Sequence, residues 1–130
     1  MGYDISIEEN GRTGRKPLHW EYLDNADRKG LHDVYAGLMK LRNAHPELFD
    51  ANATLTWKVE TSDWDNGRTL LVKSITGKQL VVVGNFTHTA TDIVFPATPG
   101  NWTNYFTGKS ETVNKQVNVP AHGYVVYTNF

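Results

Sequence analysis

The chain has 130 residues, which is enough for one domain, or for one domain with an appendage, and too few for two. Its 13 basic and 14 acidic side chains give a net charge of -1, whereas a nucleic-acid partner would favour a basic excess. Because it has no cysteine, disulfides, thiolate metal sites and thiol nucleophiles are excluded. The longest apolar run, residues 80–83, is too short to span a bilayer, so we expect no membrane insertion.

The first 24 residues are polar and contain glycine, Asn-Gly and proline, which predicts a long loop. A helix is predicted next, with Asp24 or Asn25 as its N-cap and His45-Pro46 at its end, because proline disfavours helix in the residue before it. Apolar residues recur along this helix at steps of three and four, which indicates one apolar stripe. The stripe consists of Leu31, Val34, Tyr35, Leu38 and Leu41.

Each large side chain of that stripe would forfeit roughly 1.5 to 3 kcal/mol if it stayed in water. The side chains of the stripe are therefore expected to be buried against another surface. Either the helix folds back onto the rest of the chain, or it pairs with a second copy in a homodimer that is not physiological.

From residue 51 onward the apolar period changes from about 3.6 to 2, which indicates strands. The candidate segments are rich in valine, threonine, isoleucine and aromatic residues. They are residues 54–60, 69–75, 79–86, 91–95, 102–106, 111–119 and 123–128. Turn signals separate them, and Asp65-Asn66-Gly67 and residues 75–78 are typical of tight hairpins. Short strands at this spacing, with no helix between them, predict an antiparallel β-sandwich.

Catalytic chemistry finds little support in the strand region. A glycosidase needs two carboxylates about 5 to 10 Å apart, and the nearest pair, Asp63 and Asp65, stands beside an Asn-Gly turn. A calcium loop is not predicted either, since Gly67 stands where its third oxygen ligand would be. The five histidines lack metal-ligand spacing and no G-x-S-x-G elbow occurs, so no metal site and no nucleophile are predicted.

The aromatic residues suggest another chemistry, because sugars stack their apolar C–H faces on exposed rings. Four residues are candidates for such a carbohydrate-binding platform: Trp57, Trp64, Trp102 and Tyr105. The alternative is that these rings pack in the core or at its rim, as most aromatic residues of a sandwich do.

Several motifs resemble those of one known family. An R-x-P-x-x-W segment ends at Trp20, and residues 38–48 follow the pattern L-x-x-L-R-x-x-x-P-x-L. Both are similar to the end of the catalytic barrel in α-amylases of glycoside hydrolase family 13. Further along, residues 80–86, 100–108 and 119–127 resemble a buried strand, a tryptophan-containing loop and the closing strand of that family's C-terminal domain.

This resemblance implies a truncated protein. Residues 1–48 would be a remnant of the (β/α)8 barrel, with the loop after its last strand and its last helix. Residues 49–130 would be the C-terminal domain, a Greek-key β-sandwich. The family's catalytic carboxylates would precede Met1, so this fragment alone is expected to be neither catalytic nor in need of a cofactor. Calcium would belong to the parent barrel, and the parent enzyme would be exported.

Two functions follow from the resemblance and the aromatic residues. In the first, the chain is the inert C-terminal domain of an α-amylase that hydrolyses α-1,4 bonds of starch-like glucans with retention, and its partner is the missing barrel. In the second, it is a carbohydrate-binding module that contacts α-glucan through exposed aromatic rings.

Overall fold

A computed structural model of the protein describes residues 19–58 and 68–130. The predicted loop over residues 1–18, the carboxylates Asp63 and Asp65, Trp64 and the Asn66-Gly67 turn lie outside these ranges. The described residues form one long helix and eight strands, which confirms the mainly β fold. The chain divides into two compact units, Met1–Asn43 and Ala44–Phe130.

In the described part of the first unit, a 3-10 turn spans Trp20–Asp24, where the sequence predicted only loop. The long helix α1 spans Ala26–Ala44. Asn25 is its N-cap, because its Oδ1 accepts hydrogen bonds from the backbone N–H groups of Asp27 and Arg28, both at 3.1 Å. The helix ends directly before His45-Pro46, so both predicted helix signals are confirmed.

Most of the apolar stripe on α1 is exposed in the single chain. Leu31, Tyr35 and Leu38 are exposed, and only Leu41 is buried. The opposite side is polar, and the side chains of Lys29 and Asp33 form an ion pair one turn apart. That these side chains are buried against a second copy, or against the rest of the chain, stays a prediction.

The strands of the second unit are all antiparallel and form two sheets. They are β1 (Thr54–Lys58), β2 (Arg68–Lys73), β3 (Gln79–Gly84), β4 (Thr91–Val94), β5 (Gly100–Asn104), β6 (Ser110–Val113), β7 (Gln116–Val119) and β8 (Tyr124–Thr128). The larger sheet has the order β1-β2-β3-β8-β5-β6, and the smaller sheet pairs β4 with β7. This is the predicted sandwich arrangement, with the Ile75–Lys78 hairpin between β2 and β3.

One predicted strand is wrong. Residues 111–119 form two strands, and the chain passes from the larger sheet to the smaller one at Asn114-Lys115. At this corner the Lys115 carbonyl accepts a hydrogen bond of 2.9 Å from the backbone N–H of Phe95. Val113, Val117 and Val119 all stand at odd positions, but the odd position between the first two is the exposed Lys115, and the strand prediction missed this gap in the apolar alternation.

The core lies between the two sheets. Leu71, Val81 and Val83 from the larger sheet are buried in one cluster with Ile93 and Val119 from the smaller sheet. Three rings complete this cluster, since Phe95 meets Trp102 edge-to-face at 5.2 Å and Tyr127 edge-to-face at 6.0 Å between centroids. The sandwich is therefore held by aliphatic packing at its centre and aromatic packing beside it.

A polar cluster connects the segment after α1 to the hairpin between β2 and β3. The Glu47 carboxylate accepts a hydrogen bond of 2.8 Å from Lys78 Nζ. The hydrogen bond from Lys78, and then that from the backbone, lower the pKa of Glu47 from 4.5 to about 2. The His45 ring packs on Phe130, with centroids 4.2 Å apart. The cluster thus brings three distant parts of the chain together.

We expect the Glu47 contribution to stability to be present above pH 4.5 and lost as the pH falls toward about 2. The unfolded chain takes up the proton at a higher pH than the folded chain does, so acid favours unfolding. Glu47→Gln should flatten the pH dependence of the urea unfolding midpoint in this window and leave its slope above the window unchanged. An identical acid slope in the variant and the wild type would contradict this role of Glu47.

Candidate functional site

The larger sheet has a second face opposite the core, called here the outer face. Because directly paired residues of antiparallel strands point to the same side, the register places Trp57, Leu70, Val82 and Val126 in one row across β1, β2, β3 and β8. The neighbouring row, which contains Leu71, Val81 and Tyr127, belongs to the core. The outer face is thus apolar along part of its width.

A groove of about 480 Å³ opens on this outer face. We call it the aromatic groove. It is lined by Trp57, Lys58, Arg68, Thr69, Leu70, Val82, Gly84, Phe86 and Tyr124. Two of its large rings are mostly open, with Trp57 68% and Phe86 66% exposed. Apolar side chains at this exposure are typical of a docking or ligand-binding surface when they are contiguous.

The absence of a side chain at Gly84 leaves room for the Phe86 ring, which forms one wall of the groove. The Phe86 ring lies so close to Gly84 that a Cβ built there would stand 3.3 Å from ring atom Cε2. The guanidinium carbon of Arg68 is 5.7 Å from the centroid of the same ring, within the range of a cation–π contact. Phe86 is therefore positioned by both neighbours although it is exposed.

An aromatic row continues from the groove along the protein surface. Tyr124 meets Phe106 edge-to-face at 5.9 Å, and Phe106 meets Tyr105 in the same way at 5.4 Å. The row gives the outer face more than one ring face at which an apolar partner or a sugar can be bound.

Of the predicted platform residues, Trp57 lies in the aromatic groove and half-buried Tyr105 lies at the far end of the row. Trp102 is only 5% exposed, and its Nε1 donates a hydrogen bond of 3.1 Å to the carbonyl of Thr98. An exposed platform at Trp102 is therefore wrong, because its ring is part of the core. No local signal in the sequence indicated this, because Trp102 stands between polar residues just as the exposed Trp57 does.

Phe86 and Tyr124 are the groove residues that sequence reasoning missed. Phe86 ended the predicted strand over residues 79–86, but β3 ends at Gly84, and the position of Phe86 depends on its contact with that glycine. Tyr124 is the first residue of β8. Its spacing of two from the buried Val126 shows which side of the sheet Tyr124 is on, but not which residues it contacts there. No local signal indicates that these two rings lie along one groove.

The charged side chains among the described lining residues are Lys58 and Arg68. In the part of the chain that the structure describes, no three histidine or acidic side chains are grouped to hold a metal ion. Nor does any described helix have the length and apolar character needed to cross a membrane.

The most strongly shifted tyrosine lies away from the groove. Burial, and then the hydrogen bond to Glu111, raise the pKa of Tyr127, whose hydroxyl donates to Glu111 Oε2 at 2.7 Å. Because the phenol is kept neutral and donates its proton to a partner on β6, this pair connects β8 to the sheet edge across β5.

No protein-family model and no curated protein matches the chain. The class of partner must therefore be inferred from the aromatic groove and from the motifs in the sequence.

Proposed function

We propose that this chain is a non-catalytic C-terminal domain of an α-amylase of glycoside hydrolase family 13, and that it packs on the catalytic barrel through the aromatic groove. The observation that carries the proposal is the open apolar groove on the outer face of the larger sheet. The motifs at residues 10–24 and 38–48 support the choice of family. The intact enzyme would hydrolyse α-1,4 bonds of starch-like glucans with retention.

The groove favours a protein surface as its partner for energetic reasons. Burying a large apolar side chain stabilises a complex by roughly 1.5 to 3 kcal/mol, and Trp57 and Phe86 are both mostly in water in the single chain. Aromatic residues that fill a pocket on the partner are the usual hot spots of an interface.

In this proposal the domain contributes stability to the barrel rather than a group to the reaction.

A double variant tests this docking surface. Trp57→Ser with Phe86→Ser should weaken binding to a family 13 barrel that lacks its own C-terminal domain by about thirtyfold or more, as loss of a hot spot does. Binding is measured by isothermal titration calorimetry. Ile75→Ser is the matched control, because Ile75 is also exposed but lies in the β2–β3 turn. Equal affinities of the double variant and the control would contradict the proposal.

A second function is favoured by the exposed Trp57 ring, which is open to stacking with a sugar. As a carbohydrate-binding module, the chain would show a saturable change in tryptophan fluorescence with millimolar maltoheptaose. Trp57→Phe would reduce this change. Docking on a barrel predicts no change at these concentrations, so the titration separates the two functions.

A further inference from the structure

Two histidines meet at the end of the sandwich, outside the aromatic groove. His88 lies between β3 and β4, and His122 lies between β7 and β8. His122 Nε2 is 3.0 Å from His88 Nδ1, and the two rings meet edge-on with centroids 4.8 Å apart. Both side chains are exposed, so an ion from solution can reach them.

The backbone holds the two loops together independently of the rings. The N–H of His122 donates to the Thr87 carbonyl at 3.2 Å, and the N–H of Asn85 donates to the Gly123 carbonyl at 2.9 Å. The buried Asn85 amide also donates to the carbonyls of Val119 and Pro120, both at 3.0 Å. The two loops that carry the imidazoles are therefore held side by side by the fold, independently of the hydrogen bond between the rings.

The backbone of His122 is also unusual. Its φ of 53° lies in the left-handed region, and it is the one residue other than glycine with a positive φ in the part of the chain that the structure describes. Histidine tolerates this region better than most residues, yet the conformation costs free energy and persists only where the surroundings determine it. Here it directs the His122 side chain toward the neighbouring loop.

The distance between the two nitrogens matches that of two ligands on one metal ion. Metal–imidazole bonds of about 2.0 to 2.1 Å at angles of about 90 to 109° put two ligating nitrogens about 2.9 to 3.4 Å apart. We propose that His88 Nδ1 and His122 Nε2 form a binding site for a divalent transition ion, Cu²⁺ or Zn²⁺. Water completes the coordination, since no group of three side-chain ligands occurs among the described residues.

Binding requires only one proton to move. Both facing nitrogens must carry a free electron pair, so the proton now held between them passes through solvent to the outer nitrogen of the same ring. Each imidazole stays neutral and the metal keeps its oxidation state. Because imidazole ligands follow the general order of divalent affinities, Cu²⁺ binds more tightly than Zn²⁺, and oxygen-preferring Mg²⁺ does not bind.

Isothermal titration of the chain, made without a histidine tag, tests the site with ZnCl₂, CuCl₂ and MgCl₂. One equivalent of Zn²⁺ should bind, and His88→Gln or His122→Asn should each lower its affinity at least about tenfold. Asparagine is chosen at position 122 because it accepts a positive φ. His32→Gln is the control, since His32 is an exposed histidine on α1. This variant should bind Zn²⁺ with the affinity of the wild type.

A second measurement needs no variant. Substoichiometric Cu²⁺ should broaden the amide NMR signals of residues 86–90 and 120–124 of the wild-type chain before any others. Failure of the wild type to bind Zn²⁺ or Cu²⁺ at 1 mM would overturn the proposal. So would wild-type affinity in both histidine variants, or broadening that starts elsewhere.

Discussion

Replacing Trp102 by alanine should lower the free energy of unfolding by about 3 to 5 kcal/mol, as other losses of a buried tryptophan do. The ring is 5% exposed and packs edge-to-face on Phe95 at 5.2 Å. Its removal leaves a cavity in the core and frees the Thr98 carbonyl from its hydrogen bond of 3.1 Å. Urea unfolding followed by circular dichroism measures the change.

Trp57→Ala is the matched control, because it removes the same side chain from an exposed position in the aromatic groove. Its free energy of unfolding should stay within about 0.5 kcal/mol of the wild type. Similar losses in the two variants would show that the division between a core tryptophan and a surface tryptophan is wrong.

The second large effect is expected at Asn85, whose side chain is buried and hydrogen-bonds to three backbone carbonyls. Its Nδ2 donates to Thr89, Val119 and Pro120 at 2.8 to 3.0 Å, while its Oδ1 accepts from the N–H and hydroxyl of Thr87. Asn85→Asp replaces the donor by a carboxylate oxygen that faces these carbonyls. The free energy of unfolding should fall by about 3 kcal/mol or more, because a buried charge and several polar groups lose their partners.

Asn101→Asp makes the same chemical change at an exposed site. There the asparagine Oδ1 accepts a hydrogen bond of 3.0 Å from the hydroxyl of Thr112, which a carboxylate oxygen can also accept. A change below about 0.5 kcal/mol is expected in the same urea experiment. A tolerated Asn85→Asp substitution would contradict the importance of the Asn85 hydrogen bonds for joining the loops.

Local rules in the sequence were sufficient for much of the fold. The cap at Asn25 and the end of α1 before Pro46 depend on neighbouring residues only, and both are confirmed. Alternating side chains located the strands for the same reason. The corner at Asn114-Lys115 was missed because valines return at the same odd positions after the chain has changed sheets, although Lys115 interrupts their alternation.

The candidate site was harder to predict, since it depends on contacts between distant residues. The groove joins Trp57 on β1 to Phe86 after β3 and Tyr124 on β8. The strand order and the space beside Gly84 bring these three rings together. No local sequence pattern predicts either of them. Trp102 is a similar case, because it stands between polar residues just as the exposed Trp57 does, and its burial depends on contacts such as that with Phe95.

Amide hydrogen exchange tests most directly whether the outer face binds a barrel. The chain is compared alone and after addition of a family 13 catalytic barrel from the same organism without its C-terminal domain. If the outer face binds the barrel, exchange should slow at β1, β2 and the start of β8 and stay unchanged at β4 and β7 of the smaller sheet. Unchanged exchange on the outer face, or protection confined to the smaller sheet, would contradict this binding.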